Sequence, residues 1–253
     1  MSRVVGGISD VSVEPKVYVI LGSHACRAGT LMLEYKGVPF RTVRIATGLQ
    51  PFVLRLLGFP GRTVPALRFE AQRIQTNRAI ARFLDELNPH PPLFPADPDR
   101  RQAVEEAERW GDEVLQMAAR RTVLAAARHG RDALVNRGDD GRLGALLWRN
   151  SLARLVGMRL VGRFFFDVNQ RTEQQLLAGL PGMLDRIDAW IESGVLNGDS
   201  LNAADFTIAP SVALLSYRRD LRDMVQARPA GALVDRVLAE PDRASAPLLA
   251  SRG

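Results

Sequence analysis

One cysteine in 253 residues, Cys26, leaves no partner for an intramolecular disulfide. That fits a reducing compartment and excludes a zinc site built on several cysteines. Any thiol chemistry therefore uses Cys26 or a thiol brought in from outside. Lysine is almost as scarce, with Lys16 and Lys36 alone, so arginine carries the positive charge. Three histidines without an adjacent carboxylate pattern make a metal role a poor reading. No run of about 18 apolar residues is present, which argues against a membrane span. Residues 1–16 also lack the apolar central stretch of a secretory signal. A cytoplasmic protein is the expectation.

What is present is enough for real cores: 46% of the residues are hydrophobic and 25% charged, sufficient for one large domain or two small ones. The net charge of +6 invites a nucleic-acid reading. Acidic and basic residues alternate along 97–121 rather than forming a block, however, and no nucleic-acid-binding module is visible.

From Lys16 to Leu21 a short apolar run, bounded by Pro15 and Gly22, reads as a buried strand. The spacing then changes. Ala28, Leu31, Met32 and Tyr35 fall at i, i+3, i+4 and i+7, which predicts a helix over Ala25–Lys36 stopped by Gly37. Phe40–Ile45 reads as a second strand, so the opening is a βαβ unit with parallel strands. Leu54–Leu57 suggests a short irregular helix before the loop at Gly58-Phe59-Pro60-Gly61. Ala66–Phe69 and Gln72–Gln75 then form a hairpin, and Ile80, Phe83, Leu84 and Leu87 mark the face of a following helix. This βαβ-ββα order is an α/β thioredoxin-like layout.

Pro89, Pro91, Pro92, Pro95 and Pro98 close the module and read as a linker, because each lacks a backbone donor and restricts its predecessor. Beyond Asp99 strand signals vanish. Helical patterns run over Ala103–Arg128, Leu143–Val168, Glu173–Glu192 and Ala203–Arg218, with a polar loop at 131–142. The expected organisation is an N-terminal extension (1–15), a thioredoxin-like domain (16–88), a linker (89–98), an all-α helical domain (99–239) and a tail of disordered composition (240–253).

The order of motifs is more specific than any one of them. Lys16-Val-Tyr, Ser23, Leu31-Met-Leu-Glu-Tyr-Lys-Gly-Val-Pro-Phe40, Val64-Pro65-Ala66-Leu67, Thr76 to Leu84 and Asn202-Ala-Ala-Asp205 together resemble the serine or cysteine types of glutathione transferase. The likeness spans residues 16–216. It implies a transferase that activates glutathione, or another small thiol, for attack on a hydrophobic electrophile, in the manner of detoxification enzymes. It also implies a homodimer, and no metal.

By that resemblance Ser23 holds the catalytic serine or cysteine position, where a hydroxyl can either cap the helix or donate to a bound thiolate. Cys26 stands three residues later, where packing inside the helix is the competing reading. Pro65 is expected to be cis, leaving the Val64 backbone to pair with a cysteinyl unit. Thr76 and Asn77 occupy the place where the family has an acidic residue or Gln followed by Ser, which hold the γ-glutamyl end. That departure removes a negative charge and leaves the identity of the thiol open. Gln75, Arg78 and Arg62 are candidates for holding carboxylates instead. His24 reads as a solvated loop residue. Trp110, Met117, Trp148, Phe164, Phe165 and Phe166 could wall an apolar pocket, although most such residues are core. Two rivals remain at this point: a thiol-disulfide reductase or deglutathionylating enzyme using Cys26, and a non-catalytic binding or assembly module on the same fold.

Overall fold

The computed structural model describes residues 14–129, 133, 159–164 and 166–238. The expected loop at 131–142, most of the helix expected at Leu143–Val168, and the tail from 240 lie outside them. Four strands form one sheet: β1 (Lys16–Val19), β2 (Arg41–Arg44), β3 (Ala66–Phe69) and β4 (Gln72–Gln75), in the order β2-β1-β3-β4. β1 pairs with β2 in parallel and with β3 antiparallel, and β3–β4 is the expected hairpin.

Helix α1 (His24–Tyr35) crosses between the first two strands. Ser23 begins it by accepting the Cys26 N–H, satisfying one of the donors every helix start leaves open. Its end is a Schellman stop. Gly37 turns at φ 62°, Gly37 N–H reaches the Glu34 carbonyl, and Val38 N–H reaches that of Leu33, both at 3.0 Å. Helix α2 (Gln50–Leu56) starts four residues earlier than its apolar cluster suggested, because Pro51 fits a first turn that needs no donor there. Tyr18, Ile45, Leu54, Phe59 and Ala66 pack beneath it as a small second cluster.

Helix α3 (Asn77–Leu87) lies against α1. The Lys36 side chain, wholly buried, donates to Asp85 Oδ1 at 2.7 Å and to the Pro91 carbonyl at 2.6 Å. Asp85 also accepts the Leu93 and Phe94 N–H groups. One lysine and one aspartate thus tie the proline-rich passage to the end of α1.

No strand follows Gln75 among the described residues. Helix α4 (Pro98–Trp110) opens on the Asp97 cap, five residues ahead of the expected start. It passes through a π-helical turn at Gly111–Leu115 into α5 (Gln116–Ala126). A Cβ at Gly111 would stand 2.8 Å from Ile208 Cγ1, so only glycine lets this segment approach the central helix α7 (Ala203–Leu215) so closely. Helix α6 (Gln170–Glu192) begins at the Asn169 cap, and α8 (Arg219–Gln226) and α9 (Pro229–Leu238) complete the described chain.

Every residue of α7 is buried, which explains its uniform hydrophobicity. Its capping box is complete: Asn202 Oδ1 accepts Ala204 and Asp205 N–H groups while Asp205 Oδ2 accepts Asn202 N–H at 2.9 Å. The helix expected to run to Arg218 stops at Leu215, where Ser216 is the C-cap. One apolar cluster runs without interruption from Val17, Met32 and Leu84 to Leu184, Phe206 and Leu233, so the two halves share a core. Tyr35 on α1 meets Phe206 on α7 with ring centroids 5.1 Å apart.

Candidate functional site

Gly22, at φ 76°, turns the chain out of β1 and delivers Ser23 to the start of α1. Ser23 Oγ lies 3.2 Å from Cys26 N. A hydroxyl has one proton and two lone pairs, so accepting this N–H leaves its own O–H free to donate elsewhere. The capping and thiol-activating readings of Ser23 are therefore compatible.

Cys26 is 4% exposed. Burial pushes its thiol upward, against the lowering effect of Ser23, Ile20 and Arg120. His24 is a correction: the expected solvated residue is 3% exposed. Burial, and then the Arg120 charge, depress it from 6.5 to about 3 against a hydrogen bond to the Gln116 backbone, so it is neutral at pH 7. Its Nε2 has no hydrogen-bond partner. The reason is tertiary, since the Gln116 backbone at the start of α5 lies against it.

The Val64–Pro65 peptide is cis, and Pro65 is buried directly before β3. Gln75 is already committed: its Oε1 accepts Gly61 N–H and its Nε2 donates to the Thr63 carbonyl at 2.9 Å. Thr76 caps α3 by accepting Ala79 N–H at 3.2 Å. Its backbone stands at φ 74° and ψ 148°, a conformation that a β-branched residue adopts only at a cost of about 1–3 kcal/mol. Asn77 is 2% exposed, and its unpartnered Oδ1 faces Gly29 and Pro65. Cis-proline, strained Thr76 and buried Asn77 meet on one side of α1. Arg78 pairs with Glu113 at 3.3 Å, while Arg62 is exposed.

Sequence reading missed a hydrogen-bonded polar stripe in the helical half. Asp112, Gln116 and Arg120 succeed one another at every fourth residue through the π turn and α5. Gln116 Nε2 donates to Asp112 Oδ1 at 3.2 Å, and Arg120 Nη2 donates to Gln116 Oε1 at 3.3 Å. Arg120 is partly buried and lies under the Phe166 ring, 5.4 Å from its centroid. Burial pushes its guanidinium down, offset by Cys26 and Asp112. The available signal was this polar stripe of i, i+4 spacing, which in a helical run rich in charged residues does not stand out.

The aromatic residues separate. Trp110 packs edge-on to Trp190, with Arg186 over both rings. Met117 and Phe164 are exposed, Phe166 covers Arg120, and Trp148 and Phe165 lie outside the described residues. No helix among the described residues is long and apolar enough to cross a membrane.

Comparison with known proteins bears on this arrangement. Residues 17–92 match the family model of the glutathione S-transferase N-terminal domain. Among solved structures, a glutathione S-transferase from Rhodospirillum rubrum is 21% identical with a TM-score of 0.59, covering 89% of this chain and 92% of its own. One from Methylobacterium radiotolerans, in complex with glutathione sulfonate, is 20% identical with a TM-score of 0.55, covering 90% and 92%. A Tau-class glutathione S-transferase from mango is 13% identical with a TM-score of 0.62, covering 90% of each chain. None of the curated proteins compared with the chain matches it.

Proposed function

We propose that the chain, whose residues 17–92 match the glutathione S-transferase N-terminal domain and which carries that fold, activates glutathione or another small thiol for attack on an electrophile. The observation that carries this reading is Ser23, whose Oγ takes the Cys26 N–H and keeps its own proton for a ligand sulfur. The start of α1 adds a partial positive charge, which favours the thiolate over the thiol.

In the reaction the ligand's S–H proton passes to water and the sulfur is held as thiolate. The thiolate electron pair forms a C–S bond with the electrophilic carbon. The leaving group departs with its own bonding pair or, in an addition, the product carbanion takes a proton from solvent. Ser23 donates a hydrogen bond to the sulfur throughout, and the Val64 backbone beside Pro65 pairs with the cysteinyl unit. Thr76, exposed at the start of α3, is the residue left to meet the amino end of the ligand, since Asn77 is buried against Gly29. Neither supplies a carboxylate, so affinity for glutathione is lower by about ten- to a hundredfold than an acidic residue would give.

The burial and raised thiol of Cys26 weigh against a reductase that depends on it. A homodimer, as in the resembling family, belongs to the same proposal and is read by sedimentation. Calorimetric titration with glutathione tests the reading. Saturable binding in the micromolar to low-millimolar range supports it, and absence of heat with glutathione, cysteine and other small thiols contradicts it.

A further inference from the structure

A row of like charges crosses the sheet. Lys16, the first residue of β1, stands beside Arg41 of β2 and opposite Arg68 of β3, and Arg68 stands opposite Arg73 of β4. Side chains alternate along a strand, so these four share one face. It is the face that α2 covers in part, because Tyr18 and Ala66, two residues along the same strands, pack in the small cluster beneath that helix. Val17, Leu67 and Ile74, which alternate with them, belong to the main core on the other side. Arg41 and Arg73 are exposed, and Lys16 and Arg68 are half-buried. Like charges on neighbouring strands weaken a sheet, a cost that an anionic partner offsets. Residues 14–92 also hold an excess of six basic over acidic side chains, equal to the net charge of the whole chain.

Over the same face α2 presents an apolar ridge. Leu49, Phe52 and Leu56 recur at i, i+3 and i+7 and are 54%, 74% and 88% exposed, whereas Leu54, on the far side of the helix, is wholly buried. Arg73 joins the ridge to the row, since its Nε donates to the Leu57 carbonyl at the end of α2, at 2.6 Å. The ridge is convex and offers no groove for a partner's side chains. Its three side chains fall well short of the roughly 20–30 residues that each side of a stable protein interface supplies. A bilayer surface requires neither a groove nor a large patch. It admits apolar side chains among its headgroups and draws basic residues to its phosphates.

We propose that the α2 face of the sheet docks on an anionic lipid surface. Leu49, Phe52 and Leu56 enter the boundary between headgroups and acyl chains, while Arg41, Lys16, Arg68 and Arg73 meet the lipid phosphates. Lys16 begins β1 and Ser23 follows that strand's other end, so the docking row lies away from the start of α1. The proposal therefore stands or falls independently of the thiol reading.

The test is cosedimentation of the full chain with vesicles of phosphatidylcholine alone or of phosphatidylcholine mixed with phosphatidylglycerol. Wild type is expected to bind the mixed vesicles more tightly by about tenfold or more, with the preference fading as salt is raised. Arg41→Gln and Arg68→Gln are each expected to weaken that binding by about fivefold. Arg171→Gln, an exposed arginine on α6, is expected to leave it within about twofold, which separates a local face from net charge. The double variant Phe52→Ser, Leu56→Ser, with folding checked by circular dichroism, is expected to lose about tenfold or more. No binding to mixed vesicles, or equal losses in Arg171→Gln and Arg68→Gln, overturns the proposal. So does tighter binding to a short DNA duplex than to vesicles, which assigns the row to nucleic acid, or a dimer in sedimentation that the double variant abolishes, which assigns the ridge to a second copy.

Discussion

The backbone N–H of Cys26 donates to Ser23 Oγ at 3.2 Å, so one serine both starts α1 and presents a hydroxyl proton at the positive end of that helix. The two roles separate by substitution. Ser23→Ala removes both, and is expected to lower turnover by roughly tenfold or more and stability by about 1 kcal/mol. Ser23→Asp caps equally well but has no proton to donate at neutral pH. It is expected to melt within about 0.5 kcal/mol of wild type while losing activity. Thermal denaturation alongside initial rates distinguishes the two, and wild-type rates in Ser23→Asp would remove the hydroxyl from the mechanism.

Cys26 leads to the opposite expectation. Packed among the core residues of the first half and with its thiol pushed up by burial, it should react slowly with iodoacetamide in the native protein and rapidly once unfolded. Cys26→Ala is expected to keep turnover within about twofold, because the ligand supplies the nucleophile. Complete loss of activity in a folded Cys26→Ala would favour the reductase alternative.

His24 and Asp205 impose opposite pH dependences on stability. The His24 value is depressed from 6.5 to about 3, chiefly by burial, so the folded state resists a proton that the unfolded chain accepts. Its contribution is complete above pH 6.5 and is lost as pH falls towards 3. Asp205 is raised from 3.8 to about 6, again chiefly by burial against two backbone hydrogen bonds. The folded state holds that proton more tightly, so this group's contribution declines as pH rises from about 4 to 6. Denaturant titrations of His24→Gln and Asp205→Asn from pH 4 to 7 should show the two slopes disappearing separately. A wild-type slope in either variant would contradict the assignment.

Much of this architecture is legible in the chain itself. The β3–β4 hairpin has the expected bounds because its strands are short and closed by local turn signals, and Gly37 ends α1 where a left-handed stop was called for. Asn202 and Asp205 act within four residues of each other, so spacing alone carries their capping box. Long-range effects are harder to read. His24 is buried through contacts that include the Gln116 backbone at the start of α5, far away in sequence. In sequence, Asp112, Gln116 and Arg120 are an ordinary polar helix stripe. Gly111, at the start of the π turn over 111–115, meets Ile208 of α7, a contact between residues nearly a hundred positions apart.

A buried ion pair holds the helical half together. Glu173 accepts Arg218 Nη1 and His129 Nε2, each at 2.7 Å, and both Glu173 and Arg218 have nearly inaccessible side chains. Removing the carboxylate leaves Arg218 with the exposed Asp220 and the Thr122 carbonyl. Glu173→Ala is expected to cost about 3 kcal/mol, read as a fall in denaturation midpoint with an unchanged slope. A loss below about 0.5 kcal/mol would show the pair to be dispensable.

The central claim is that the start of α1 holds a small thiol as thiolate at neutral pH. The direct measurement is the ultraviolet thiolate absorbance of glutathione bound to the protein, titrated against pH and compared with free glutathione. A midpoint lowered by about 2 units on binding, and restored towards the free value in Ser23→Ala, is the predicted result. A bound thiol that ionises at the same pH as the free one would contradict the account.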